Sequence, residues 1–419
     1  MPSHTQPGRI IVAATLDTKG EEARFVADAI RGRGHTPVLV DLSLGPGGDT
    51  QAGADITRED IASEAATTVD ALAGLPRAEA MEVVARGAAA LIARAATGGA
   101  VHAALGIGGG TGTWLASEIF AALPHGFPKL IVSTLTGRDA SRDITVMPSV
   151  VDIAGLNRLL TPVLANAAAA VCGMAEGVQF EQREPRPTIA LTMFGVTTEG
   201  ATHLRRFLTE ADCEVVVFHA NGAGGQTMER LAREGAFQAV IDWTTSEITD
   251  ELTGGICTAG PDRLESAGQM GVPQVVVPGA IDVINVLAPI PEQFAGRTHH
   301  WHLPTVPLIR TSARESREIG AWMANKLNSA RGPVRVLVPG HGFSSLDRPG
   351  GVFEDTEADT AWENALRAGL RDGIPVEVLP WNINEEPFAR AVADAVLTLL
   401  DGELVDNLVG NPVKSSSCA

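Results

Sequence analysis

"IIVAATLDTKGEEARFVADAIRGRGHTPVLVDL", residues 10 to 42, decides the fold. A short β-branched run leads through a Thr-containing turn into a segment of helical period and then into a second apolar run. That order predicts a β-strand, a crossover helix and a parallel second strand. In the helical part Phe25, Val26, Ala29 and Ile30 fall on one face, and Glu21, Glu22, Arg24 and Arg31 are assigned to water. Residues 189 to 220, "IALTMFGVTTEGATHLRRFLTEADCEVVVFHA", repeat the order, with Ala201, Leu204, Phe207, Leu208 and Ala211 as the apolar stripe. Between the copies lies "EQREPRPT", residues 181 to 188, where charge and two prolines follow an Ala-rich helix. The expectation is an α/β protein of two Rossmann-like units, residues 1–180 and 181–419, with mainly parallel sheets and crossover helices.

Other strands are expected at Val101 to Ile107, Lys129 to Leu135, "QAVIDW", "PQVVVPG", "VRVLVPG" and "PVEVLPW". Helices are expected near Ser312 to Asn328, Asp359 to Leu370 and Glu385 to Leu400. A mostly helical insertion is expected between Gly45 and Gly99, opening on the cap-like "DITRED".

The formal charge of −18 repels nucleic acid and anionic membranes and favours small-molecule chemistry. Cys172, Cys213, Cys257 and Cys418 lack any C-x-x-C spacing, which speaks for reduced thiols. No apolar run reaches the roughly 18 residues of a membrane span and "MPSHTQPGR" is no signal peptide, so a cytoplasmic location is expected.

The most informative loop is "LGIGGGTGTWLAS", residues 105 to 117. It joins the end of an expected parallel strand to a helix start, the edge where α/β sheets collect ligands. Gly108, Gly109, Gly110 and Gly112 let backbone N–H groups surround an anion, and Thr111 and Thr113 add hydroxyls. The loop is no P-loop, because no Gly-Lys-Ser/Thr follows, and it fits the dinucleotide pattern only loosely. At another strand end "LDTKGEE" offers Lys19 for an anion and Asp17 for a cation or hydroxyl. "STLTGRDASRDITVMPSVVD" adds Arg138 and Asp139 after a third strand.

In the second half, "FHANGAGGQTME" places His219 before a glycine loop containing Asn221, Gly224 and Gly225, read as a second anion cradle. An imidazole exchanges protons near neutral pH, which makes His219 a candidate general base. Glu247 and Asp250 would share a helix face, where they suit a metal or split acid and base roles. Arg263 after "GPD" is a candidate carboxylate clamp. "RTHHWH" contributes His302 as a single functional histidine. The loop "VPGHGFSSLDRPGGVFED" carries His341, Ser344 and Asp347 without a G-x-S-x-G elbow, which weakens a serine-hydrolase reading and leaves Ser344 for substrate binding.

Taken in order, "VAATLDTKGEE", "GIGGGTGT", "FHANGAGGQTME", "TTSEITDEL", "AGPDRL", "VPGAIDVIN", "IRTSARES" and "GFSSLDRPGGVFED" resemble a family of ATP-binding-domain proteins typified by a tomato antiviral resistance protein. The resemblance spans about residues 9 to 400. It implies two Rossmann-like units, ATP or another phosphate-bearing ligand near the first glycine loop, and a homodimer or higher homo-oligomer. Asn221 stands where the family leads one to expect Thr, and Leu303 where it leads one to expect Asn.

These readings converge on an enzyme acting on an oxygenated acid or carbonyl compound in a cleft between the units. Hydrolytic or retro-aldol/retro-Claisen cleavage would use His219, Glu247 and His302 for protons and Arg263 for anionic groups. The alternatives are an ATP-binding regulatory protein without chemistry and a metal-dependent hydrolase built on Glu247, Asp250 and a histidine.

Overall fold

The computed structural model describes residues 7–44, 53–135, 142–177 and 186–410, with side chains to residue 401. Arg138, Asp139, Cys418 and most of "EQREPRPT" lie outside the described residues. The chain divides into two compact units, Met1–Gln182 and Arg183–Ala419.

The N-terminal unit runs β1 (Arg9–Ala14), α1 (Leu16–Arg31), β2 (Thr36–Asp41), α2 (Arg58–Glu64), α3 (Val69–Ala73), α4 (Arg77–Thr97), β3 (Ala103–Gly108), α5 (Gly110–Ala121), β4 (Lys129–Ser133), β5 (Thr145–Pro148) and α6 (Leu160–Glu176). Its five strands are all parallel in the order β2-β1-β3-β4-β5. Successive strand residues face opposite ways, so Ile10 and Val12 pack with α1 and α6 while Ile11 and Ala13 pack with α2, α4 and α5. Helices on both faces explain strands that are apolar throughout.

The helical stripe of α1 holds, with Val26 and Ile30 buried and Phe25 and Ala29 packed at the rim. Glu22 departs from its assignment to water: it is buried, and its carboxylate accepts the Gly155 N–H at 2.8 Å. The helix also begins earlier than its pattern suggests. Asp17 and Lys19 sit in its first turn, which kinks at Lys19 (φ −126°, ψ 20°).

The C-terminal unit runs β6 (Thr188–Met193), α7 (Thr198–Glu210), β7 (Glu214–His219), α8 (Ala223–Arg233), β8 (Ala239–Thr244), α9 (Ser246–Thr253), α10 (Ser266–Met270) and β9 (Gln274–Gly279). An antiparallel excursion follows, β10 (Val283–Asn285), β11 (His299–Leu303) and β12 (Val306–Arg310), ordered β10-β12-β11. The main sheet resumes with α11 (Ala313–Asn328), β13 (Val334–Pro339), α12 (Thr356–Gly369), β14 (Val376–Leu379) and α13 (Glu386–Gly410). Its six strands are parallel in the order β14-β13-β9-β8-β6-β7. Counted within the unit, the first five therefore repeat the arrangement second-first-third-fourth-fifth. The stripe Ala201, Leu204, Phe207 and Leu208 of α7 packs with α13 on one face of this sheet. Ala211 is exposed because it lies one residue past the helix end.

Each unit is thus a doubly wound α/β sheet whose strand order reverses between its first and third strands, β1 and β3 in one, β6 and β8 in the other. At such a reversal neighbouring loops part to opposite faces and leave a crevice at the C-terminal strand ends. Among the described residues no helix is long and apolar enough to cross a membrane.

Candidate functional site

At the reversal in the N-terminal unit, the loop after β1 faces the loop after β3 across a cavity of about 400 Å³. Thr15, Asp17, Thr18, Lys19, Leu44, Arg77, Gly109, Gly110, Thr111 and Gly112 line it. The glycines divide into two kinds. A Cβ on Gly108 would stand 2.6 Å from Gly112 Cα, and one on Gly106 2.6 Å from Ala116 Cβ, so these glycines seat α5 against β3. A Cβ on Gly110 would meet nothing within 4 Å, and one on Gly109 only Thr134 Oγ1 at 3.7 Å. These two leave room over the helix start.

No side chain caps α5. Its first intrahelical bond runs from Thr113 N–H to Gly109 O at 2.8 Å, so the preceding amides and the positive end of the helix dipole are left toward the cavity. Thr113 is buried: its hydroxyl bonds Gly108 O and Ser133 Oγ, each at 2.9 Å, so it supports the loop and does not line the cavity. Thr111 lines it and accepts a bond from Arg77 Nη2 at 3.0 Å. The Lys19 ammonium donates to the Ile153 carbonyl, which fixes the chain after β5 to the kinked start of α1. Asp17 is exposed, and its N–H is anchored by Ser43 Oγ at 3.0 Å. Arg77 escapes sequence reasoning because it enters from the insertion, 34 residues before Thr111. A larger cavity, about 570 Å³, lies at the opposite end of β4, where the Lys129 ammonium is taken by Asp143 at 2.7 Å and Pro124 O at 2.8 Å.

The C-terminal unit treats its loops differently. The expected second anion cradle is already filled. Glu247 Oε1 accepts from Gly222 N–H at 2.7 Å and Gly225 N–H at 3.0 Å, and its other oxygen accepts from Arg263 Nε at 2.8 Å. A Cβ on Gly225 would stand 2.1 Å from that carboxylate, and one on Gly224 1.9 Å from His219 O, so both glycines admit protein groups, not substrate. Arg263 is wholly buried and also reaches Asp242 at 2.6 Å and Glu229 at 3.1 Å. It is therefore a structural hub and is not presented to solvent as a carboxylate clamp. Burial alone would lower its pKa; Asp242, Glu247 and Glu229 outweigh that and raise it. Burial pushes the Glu247 carboxyl above its usual range, against the pull of Arg263 and the two amides.

The same device recurs twice. Glu229 accepts the N–H groups of Leu264 at 2.6 Å and Ser266 at 2.8 Å. Asp250 accepts those of Asn285 at 2.9 Å and Cys257 at 2.8 Å, and burial pushes its pKa up to about 6. Asp250 thus serves loop amides, and among the described residues no group of three or more His, Cys, Asp and Glu is placed to hold a metal. Glu229 and Asp242 were invisible as functional positions, although an aspartate inside the apolar run "AVIDW" signals a buried partner.

Ser344 is buried too. Its Oγ donates to Asp282 Oδ2 at 2.7 Å and accepts the N–H groups of Leu346 and Asp347, so it is closed to substrate. With His341 exposed and Ser344 committed to Asp282, no serine triad forms. Around them Arg310 bonds Asp359 at 2.6 Å and Asp347 at 3.4 Å. Burial together with Asp282 and Asp359 raises the pKa of Asp347 to about 9.

His219 and His302 remain accessible. His219 stacks on Phe194 with ring centroids 5.5 Å apart, and the His302 ring lies 3.5 Å from where a Gly195 Cβ would stand. The two imidazoles therefore border the same corner after β6. His302 arrives there on β11, a strand exposed at every position, where sequence reasoning expected only a histidine-bearing segment. Asn221 is exposed at the turn beyond His219 and accepts the Gly224 N–H at 3.3 Å.

Residues 8–180 match the N-terminal domain of the Uncharacterised protein family (UPF0261), and residues 186–400 match its C-terminal domain. A UPF0261 protein of Mesorhizobium japonicum is 43% identical over 92% of this chain and 98% of its own. The ToMV susceptible protein tm-1(GCR26) of Solanum lycopersicum is 33% identical over 93% of this chain and 56% of its own. Among solved structures, a UDP-GlcNAc 2-epimerase of Methanocaldococcus jannaschii, in complex with UDP-GlcNAc and UDP, is 9% identical. It covers 64% of this chain and 83% of its own at a TM-score of 0.22, a likeness too slight to bear on chemistry. With both domain models matched in order along nearly its whole length, the chain belongs to the UPF0261 family.

Proposed function

We propose that the N-terminal unit binds a small anionic molecule, through a phosphate or a carboxylate, at the Gly108–Thr113 loop. One observation carries the reading: the uncapped start of α5 opens on a cavity at the strand-order reversal, with Lys19 and Arg77 on its walls. Amides at a helix start favour negative charge, and two cations beside them reinforce the preference. About 400 Å³ lies within the range of small-molecule sites. ATP or another phosphate-bearing ligand, the class the sequence resemblance implies, suits such a cradle. Calorimetry with inorganic phosphate and nucleotides tests it, comparing the wild type with Gly110→Val. A Cβ at Gly110 meets nothing within 4 Å, and the residue lines the cavity, so the added side chain is directed at the cavity. Loss of binding is expected; tight, unchanged binding by a folded variant sinks the assignment.

A second reading rests on the corner shared by His219 and His302. There two accessible imidazoles suit proton transfer in hydrolytic or retro-aldol/retro-Claisen cleavage of an oxygenated acid. Glu247 and Arg263 act as the buried support of the neighbouring glycine loop. For any substrate found by screening β-keto, β-hydroxy and ester acids, with and without ATP and a divalent metal, His219→Asn is expected to lower turnover by about 100-fold. Equal turnover rejects the role.

A further inference from the structure

The cavity of the N-terminal unit presents many hydrogen-bond donors and few acceptors. A guanidinium can only donate. Thr111 Oγ1 therefore accepts from Arg77, and its own O–H proton turns elsewhere. Lys19 spends one of its N–H groups on Ile153 O and keeps two. The leading amides of α5 add further donors. On the acceptor side Thr15 and Thr18 bond one another at 3.0 Å, leaving the Asp17 carboxylate as the charged acceptor on the wall. A ligand group matching this set carries several oxygens, all acceptors, and more than one negative charge.

Arg77 is the adjustable member. It is exposed, stands at the first position of α4 after Pro76, and belongs to the insertion, whereas the glycine loop belongs to the sheet. Its single bond to a neutral hydroxyl is weaker than a fork on a phosphate, where two parallel N–H groups meet two charged oxygens.

Resting on the anion-site reading above, we infer that Arg77 makes this site select a terminal phosphate dianion over a carboxylate, by transferring its guanidinium from Thr111 to the phosphate. A phosphomonoester end offers three oxygens and nearly two charges, enough for Arg77, Lys19 and the α5 amides together. A carboxylate offers two oxygens and one charge, and is satisfied by the amides and Lys19 alone.

The test is calorimetry at fixed ionic strength with inorganic phosphate, glycerol phosphate and acetate, on the wild type, Arg77→Ala, Arg77→Lys and Gly110→Val. The wild type is expected to bind both phosphates at least ~10-fold more tightly than acetate. Arg77→Ala is expected to weaken phosphate by ~10-fold or more while acetate changes less than about 2-fold, and Arg77→Lys to recover only part of the loss. Wild-type binding of glycerol phosphate is also expected to weaken as the pH falls through about 6, where the monoester dianion takes up a proton. Equal weakening of phosphate and acetate in Arg77→Ala, or full recovery in Arg77→Lys, overturns the selectivity role. If Arg77→Ala binds phosphate like the wild type while Gly110→Val does not, the site stands and the inference falls. If the wild type binds acetate but no phosphate, the inference falls and the site stands; if it binds neither, or Gly110→Val binds them normally, the site reading itself fails.

Discussion

The two units answer the same geometric problem in opposite ways. Both reverse their strand order between the first and third strands, and both bring glycine loops to helix starts at the C-terminal sheet edge. In the N-terminal unit the helix start after β3 meets a cavity. In the C-terminal unit the glycine loop after β7 meets Glu247, itself tied to Arg263, Asp242 and Glu229 in a buried cluster. The difference teaches that a glycine loop states a need for negative charge and leaves open who supplies it. Where an acidic helix from the next strand reaches back, the protein supplies it; where none does, at α5, the helix start stays open to the cavity.

The comparison breaks most visibly at its two arginines. Arg263→Ala leaves three carboxylates buried around an empty space, and a cost of about 3–5 kcal/mol is expected. Arg77→Ala on the exposed start of α4 should stay within about 0.5 kcal/mol. Hydrogen exchange on β8 and β3 reads the units separately; wild-type protection of β8 in Arg263→Ala would remove the cluster from the account. The next contrast uses glycines. A Cβ on Gly225 collides with the Glu247 carboxylate, so Gly225→Ala should cost about 1–3 kcal/mol. Gly110→Ala meets open space and should be neutral or stabilise by up to about 1 kcal/mol. Similar thermal shifts for the two variants would show that the loops do not differ as described.

The smallest contrast is in pH dependence, and its sign differs between the units. Asp347, raised to about 9 by burial and by Asp282 and Asp359, keeps a proton that an unfolded carboxyl releases near about 3.9. Its support of the C-terminal unit is therefore full in acid and declines as pH rises between those values. Asp143 of the N-terminal unit behaves oppositely: burial raises its pKa, but the Lys129 ammonium, the Gly126 N–H and His125 outweigh that and lower it. Its support is present above the ordinary carboxyl range and is lost as pH falls through its lowered value. Urea unfolding from pH 5 to 9 should show the C-terminal unit weakening toward alkali, with Asp347→Asn flattening the slope. A slope unchanged by that substitution would assign the pH response to other groups.

The strands, the crossover helices and the paired βαβ openings were legible because apolar period is a local property. So was the placement of the Gly108–Thr113 loop between a strand and a helix. Strand order was not, since nothing in "AALGIG" says that β1 and β4 are its neighbours. The site was half legible for the same reason. Lys19 and the glycines stand in motifs, whereas Arg77 joins them only after the insertion folds back. Charge was hardest to place: Glu22, assigned to water, is buried on the Gly155 N–H, and Glu247 and Arg263, read as groups handling protons and anions, are buried on one another. Charged residues inside a local pattern cannot declare, from neighbours in sequence, whether water or another charge will face them.

One aromatic side chain gives the N-terminal unit an optical voice of its own. Trp114 lies in the second turn of α5, three residues beyond Thr111, is 37% exposed, and is the one tryptophan before residue 182 in a chain without tyrosine. Trp243 and Trp362, in the other unit, are wholly enclosed. The difference spectrum between the wild type and Trp114→Phe therefore isolates the emission of a single ring on the helix whose start faces the cavity, and titrating it follows occupancy there without a label.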